Sequence, residues 1–301
     1  MEVKLLNESE VKQMIQIIAS DMDGTLLNDK MVISPVNAAA VKKAQAAGVH
    51  FIVSSGRGYT EIKPLIDNAG FNCPLITLNG AQVFDEEGKL LSSAAISDHL
   101  SSKIMHFLKK QKLYFEVITS KGIYSDNQSK RIENFAELLT NINPETPFKL
   151  AVSLAAARME LMNVNYTDDY FKLAADPHIS IYKIVAFSSE GPKVLDPIKQ
   201  KIQQFDSLTV TSSSDSNIEI NHVNAQKGAA LQAYADRLNV PMDNVMAIGD
   251  NNNDLSMLKV AGVSYAMDNA INSVKQTAKR LTTTNVADGV AQAINEVLAE
   301  K

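Results

Sequence analysis

Two aspartates one residue apart, in Asp21-Met22-Asp23-Gly24-Thr25, stand just after the apolar run Ile15 to Ala19. Carboxylates that close raise each other's proton affinity by repulsion, so a divalent cation is their natural partner. A carboxylate held by Mg²⁺ can attack phosphorus and form an aspartyl-phosphate. A second acidic cluster, Gly249-Asp250-Asn251-Asn252-Asn253-Asp254, follows another apolar run, Val245 to Ile248. Its carboxylates and amides are hard oxygen donors, which suit Mg²⁺, and Asp250 is the candidate ligand. Asp254 can alternatively cap the helix that follows. Ser55-Gly56-Arg57 sets a hydroxyl before a helix start, where it and nearby backbone N–H groups can donate to a phosphoryl oxygen, or simply make a turn and an N-cap. Lys227 heads a helical segment, a position at which the macrodipole favours acids. It either answers to an anion or is a solvated surface lysine.

These clusters matter because of the elements that must hold them. The first half of the chain alternates apolar runs with helical segments. Ser34-Pro35 opens a helix that Gly48 closes, Val49 to Ser54 is a second strand, a helix of about ten residues runs to Gly70, and Pro74 to Leu78 is a third strand. That rhythm indicates a doubly wound parallel sheet, Rossmann-like in its order, with every polar cluster at the carboxyl end of a strand. From Gln82 the rhythm changes to hairpins, with turns at Gly88 and Lys121-Gly122, mixed with helices. It resumes with a helix from Lys227 to Asn239, strands at Val245–Ile248 and Val263–Ala266, and a last helix from Gly289. The reading is an α/β core over 15–95 and 223–301, an inserted α+β domain over 96–222, and an amino-terminal extension over 1–14.

Taken together and in this order, the motifs resemble those of the haloacid dehalogenase superfamily, specifically the Cof-type phosphatases with a large cap. DMDGTLL is similar to the family's first motif, SSGR to its second, KGAAL to its third and GDNNND to its fourth; TLNGA at Thr77 to Ala81 and DGVAQAI near the carboxyl end are also family-like. The resemblance implies that Asp21 is the nucleophile and a metal ligand. Asp23 would be the general acid and base, and would lend the metal its backbone carbonyl. Ser55, Gly56, Lys227 and Asn253 would hold the phosphoryl group, and Asp250 would complete an Mg²⁺ site. Asp254, Arg57, Asn79 and Gly80 would support them. Ser55 stands where this branch more often has Thr, and Asn251 where Gly is frequent; both replacements keep the needed chemistry. The 32 positions from Asp23 to Ser55 leave no room for a cap, so the insert resembles the second cap type of the B subclass.

Composition limits the alternatives. The chain has 301 residues, 45% hydrophobic and 21% charged, with a net charge of −5 and a pI near 5.6. It offers no general attraction for nucleic acid or an anionic membrane. The single cysteine, Cys73, allows no intrachain disulfide and reads as a packed thiol. With no apolar stretch resembling a signal peptide or a span, a soluble cytoplasmic protein is expected. The five histidines lack metal-ligand spacing; His222, close before Lys227, is the one that could line a cleft. The expected partner is a small phosphorylated metabolite such as a sugar phosphate, chosen by the insert, because the motifs grip only the phosphoryl group and the metal. Two other readings use the same residues. A phosphotransferase or mutase would pass the phosphoryl group to a hydroxyl, and a regulatory protein would bind a phospho-ligand without turnover. Hydrolysis of p-nitrophenyl phosphate separates these from a phosphatase. Oligomeric state is left open.

Overall fold

The structure, a computed structural model, describes residues 14–142, 145–159, 164–212 and 214–300. The expected extension over 1–14 lies outside the described residues except for Met14. The chain divides into two compact units, one running up to Ser93 and resuming at Gln226, the other Ala94–Ala225.

The first unit opens with β1 (Ile17–Asp21), α1 (Pro35–Ala46), β2 (His50–Ser54), α2 (Tyr59–Ala69), β3 (Leu75–Thr77), β4 (Gln82–Phe84) and β5 (Leu90–Ser93). The second holds α3 (Asp98–Lys110), β6 (Tyr114–Thr119), β7 (Gly122–Ser125), α4 (Gln128–Ile142), α5 (Phe148–Met159), β8 (Val164–Tyr166), α6 (Tyr170–Ala175), β9 (Ile181–Phe187), α7 (Pro192–Ile202), β10 (Leu208–Thr211) and β11 (Asn217–His222). The first unit then continues through α8 (Lys227–Arg237), β12 (Val245–Gly249), α9 (Leu255–Val260), β13 (Val263–Ala266), α10 (Asn272–Thr277), β14 (Arg280–Leu281) and α11 (Gly289–Ala299).

In the first unit the strands form one sheet in the order β14-β13-β12-β1-β2-β3-β4-β5. It is parallel from β14 to β3, and β4 and β5 extend it as an antiparallel edge. The central strands β1 and β12 are buried throughout, as expected for apolar runs covered by helices on both faces. The chain winds outward from β1 to β3 on one side, and returns through β12 to β14 on the other. The order therefore reverses between β1 and β12, where an open α/β sheet forms its ligand crevice. Register fixes what meets there. Ser20 lies opposite Ile248 and Asp21 opposite Ser54, so Asp21, Ser55 and Asp250 leave the sheet at one edge.

Local signals account for the helix ends. The Ser34 hydroxyl accepts from the Asn37 N–H at 3.0 Å, with Pro35 at the first helical position. Gly48 beyond α1 has φ +80°, and Asn239 beyond α8 has φ +55°. The first strand differs from its expected bounds, ending at Asp21 instead of Ala19. Ser20 and Asp21 keep extended, paired backbone because the neighbouring strand continues to Ser54, and the Ser20 hydroxyl donates to the Asp21 carbonyl at 2.8 Å.

The second unit has its own sheet, in the order β10-β11-β9-β6-β7-β8, antiparallel except between β7 and β8. One face is covered by α3, α6 and α7, whose Ile104, Leu108, Leu173 and Ile198 share a core with Val117, Ile184 and Ile220. Each unit thus has a separate apolar core. Among the described residues, no helix is long and apolar enough to cross a membrane.

Candidate active site

The loop after β1 begins the site. Leu27 N–H closes a turn onto the Met22 carbonyl at 2.8 Å, and inside it Asp23 is extended while Gly24 has φ +79°. Glycine is required at position 24 on two counts, its left-handed backbone and its space. A Cβ there would lie 2.4 Å from Asp250 Oδ2. The turn therefore carries its backbone against the Asp250 carboxylate, and Thr25 Oγ1 donates to Asp250 Oδ1 at 3.0 Å.

Lys227 is the hub. Its side chain is wholly buried, and Nζ donates to Asp21 Oδ1 at 2.5 Å and to Asp254 Oδ1 at 2.7 Å. The solvated reading of Lys227 is therefore wrong: its ammonium sits between two buried carboxylates. The helix it heads is held close to its neighbour through Gly228, whose N–H donates to Ser256 Oγ at 3.0 Å. A Cβ on Gly228 would fall 2.3 Å from the Ser256 carbonyl oxygen.

Asp254 occupies the N-cap position of α9 but does not cap it with its side chain. Its Oδ2 instead accepts from the Asp250 and Asn251 N–H groups, both at 2.9 Å, leaving Oδ1 for Lys227. The fourth cluster is thus folded around one carboxylate that orients both the lysine and the Asp250 backbone.

One ligand atom from each of Asp21, Asp250 and Asp254 lies within 4.8 Å of the others. Burial pushes Asp21 well above the usual carboxylate range, and Asp254 and Asp250 push the same way against the pull of Lys227. Asp250 is raised to about 6, by burial first and Asp254 second. Burial alone would lower Lys227, but Asp21 and Asp254 outweigh it and raise it. Fully ionised, three carboxylates around one ammonium would leave two surplus negative charges in a buried place. That is the charge and the donor chemistry a hard divalent cation would satisfy, so the residues fit an Mg²⁺ site. Asp254 joins the cluster by its side chain, whereas the Asp23 carboxylate points elsewhere.

Asp23 is paired with Arg57. Nε donates to Asp23 Oδ2 at 2.8 Å and Nη2 to Oδ1 at 2.6 Å, a bidentate pair. The Asp23 side chain remains 45% exposed, and the pair raises Arg57 further above its ordinary value. The backbone around Arg57 is well tied. Its N–H donates to Ser55 Oγ at 3.2 Å, and its carbonyl accepts from the Leu78 N–H at 2.9 Å.

The turn at Thr77 to Ala81 closes the remaining side. Leu78, Asn79 and Gly80 all have positive φ. Asn79 N–H donates to the Ser55 carbonyl at 2.9 Å, and its Oδ1 accepts from Asn253 Nδ2 at 3.2 Å. Gly56 and Gly80 permit the approach: a Cβ on Gly56 would meet Asn79 Oδ1 at 3.0 Å, and one on Gly80 would meet the Gln226 carbonyl at 2.5 Å. The structure therefore links Ser55, Gly56, Arg57, Asn79, Gly80 and Asn253 by direct contacts, beside the cluster of Asp21, Lys227, Asp250 and Asp254. His222 belongs to the second unit and lines a cavity there with Ile96 and Asp98.

Three contributors carry no role in the sequence reading. Thr25 was part of DMDGT, so its motif was visible although its partner was not. Ser256 and Asn269, whose Nδ2 donates to the Gly24 carbonyl at 2.8 Å, left no signal, because a lone polar residue does not reveal a distant partner.

Comparison with known proteins shows the family. The family described as haloacid dehalogenase-like hydrolase matches residues 18–294. Phosphatase YwpJ of Bacillus subtilis is 32% identical over 286 residues, which is 94% of this chain and 100% of that protein. The 5-amino-6-(5-phospho-D-ribitylamino)uracil phosphatase YwtE of the same species is 32% identical, over 95% of this chain and 99% of that one. A solved haloacid dehalogenase-like hydrolase from B. subtilis superposes with a TM-score of 0.83 at 31% identity, covering 93% of this chain and 99% of its own. The chain belongs to the haloacid dehalogenase-like hydrolases, and among them to the Cof-type phosphatases.

Proposed function

We propose that this enzyme is an Mg²⁺-dependent phosphatase that hydrolyses small phosphorylated metabolites through an aspartyl-phosphate on Asp21. The observation that carries the reading is the buried lysine hub. Lys227 fixes one oxygen of Asp21 at the sheet edge, which orients the carboxylate for attack on phosphorus. The bond from phosphorus to the ester oxygen then breaks, and Asp23 supplies the proton to the departing alkoxide. In the second half Asp23 takes a proton from water, the water oxygen bonds to phosphorus, and the Asp21 carboxylate is released. Ser55, the Gly56 N–H, Lys227 and Asn253 donate to the phosphoryl oxygens, where charge is greatest. Asp21, Asp250 and the Asp23 carbonyl would hold Mg²⁺, which when bound neutralises the surplus charge and lets a phosphate dianion approach. Activity with p-nitrophenyl phosphate should therefore require Mg²⁺ and vanish on chelation. Mg²⁺ should also raise the melting temperature, since it binds only the folded cluster. Full turnover after exhaustive chelation would remove the metal from the mechanism.

The choice of alcohol falls, on this reading, to the insert, because the motif residues grip groups that all phosphate esters share.

Arg57 supports the assignment of Asp23. A bidentate guanidinium fixes where the carboxylate points, which would position it for the proton transfers assigned to Asp23. Arg57→Ala should then slow hydrolysis of an alkyl phosphate about tenfold or more, since its alkoxide leaves only when protonated. Hydrolysis of p-nitrophenyl phosphate, whose phenolate leaves unaided, should fall much less. Equal losses on both esters would reduce Arg57 to an exposed ion pair.

A further inference from the structure

The second unit carries a separate polar cavity built only from its own residues. Side chains alternate along β6: Phe115 and Val117 enter the insert's core, so Glu116 projects from the opposite face. On that face Tyr114 lies opposite Phe187, and Phe187 opposite Asn217. Arg131 of α4 is ion-paired with Glu116, and both are buried. Glu116, Arg131, Asn134, Phe135, Phe187 and Asn217 line a cavity of about 160 Å³.

Its chemistry narrows the ligand. Among the described residues of the lining, the two charged groups, Glu116 and Arg131, cancel, and the Tyr114 hydroxyl donates to the remaining Glu116 oxygen at 2.7 Å. A phosphate or carboxylate would find no free counter-charge there, so the occupant is uncharged. An apolar cavity of about 150 Å³ holds one benzene, so this one has room for a single flat ring. Phe135 and Phe187 offer apolar ring faces. Among the described residues Asn134 Nδ2 is buried without an acceptor, which a ligand oxygen would satisfy. We propose that this cavity binds an uncharged six-membered heterocycle bearing a carbonyl oxygen, of the pyrimidine type. The proposal goes beyond the phosphatase reading and does not depend on it.

Uracil, titrated into the full chain and followed by ligand-observed NMR, should bind saturably with a roughly millimolar Kd. Asn134→Ala and Phe187→Leu should each weaken it about tenfold, with circular dichroism and melting confirming that both variants are folded. Benzoate, which is charged, should not saturate. Competitive inhibition of p-nitrophenyl phosphate hydrolysis by uracil would mark the ring as part of the substrate. Binding without a change in KM would mark a separate ligand, and the pocket stands in either case. Absence of saturable uracil binding, affinity unchanged in both variants, or equal affinity for benzoate would overturn the proposal. Binding in a protein that hydrolyses no ester would count against the phosphatase reading alone.

Discussion

Asp21→Asn should abolish turnover, with kcat falling by roughly 10⁴-fold or more, as for other nucleophiles acting within a coupled set. The substitution is nearly isosteric, and the asparagine Oδ1 can still accept from Lys227, so the fold should survive. An amide oxygen, however, cannot form the acyl-phosphate. Asp23→Asn provides the contrast. With p-nitrophenyl phosphate its first step needs no acid, but the water that should attack the phosphoenzyme lacks its base. Intact-mass measurement should then find one added phosphoryl group in Asp23→Asn and none in Asp21→Asn. Were Asp21→Asn to keep more than a few per cent of wild-type kcat, the nucleophile would have to be another residue.

How much of this was legible before the structure differs from residue to residue. Asp21, Ser55 and Asp250 were placed by an elementary rule: polar clusters that interrupt buried parallel strands lie at strand ends, and register then gathers them. Lys227 was only half legible. Its place at a helix start was visible, but its burial depends on two carboxylates distant in sequence, one before the insert and one after. The role of Asp254 turned on the same long-range geometry. As an Asx residue before a helix it had a good local use, and the lysine and the Asp250 backbone claim its oxygens instead. The Asp23–Arg57 pair had no local trace, because 34 positions separate partners that meet only when β1 and β2 lie side by side. Positive φ at Leu78 is a further case: an Asn-Gly step announces a turn, but a leucine in that conformation is set by its tertiary hydrogen bond to Arg57.

The second large effect follows from the charge at the hub. Lys227→Met keeps much of the side-chain volume and removes the ammonium, leaving Asp21 and Asp254 buried with no cation between them. Stripping one partner from a buried, hydrogen-bonded pair costs about 3–5 kcal/mol, so the melting temperature in chelator should drop by on the order of 10 °C. On the proposed mechanism turnover should suffer separately, because the lost donor would also serve the phosphoryl oxygens, and kcat/KM should fall roughly 30- to 1000-fold. The two losses should respond differently to Mg²⁺. With the ammonium gone, the carboxylates hold three surplus negative charges instead of two, so the cation should restore more stability to Lys227→Met than to the wild type. It should not restore the missing donor, and kcat/KM should stay low at saturating Mg²⁺. A variant that melts like the wild type in chelator would show that the buried acids do not depend on Lys227. One that regained full activity with excess Mg²⁺ would show that the lysine serves the carboxylates alone and never the phosphoryl group.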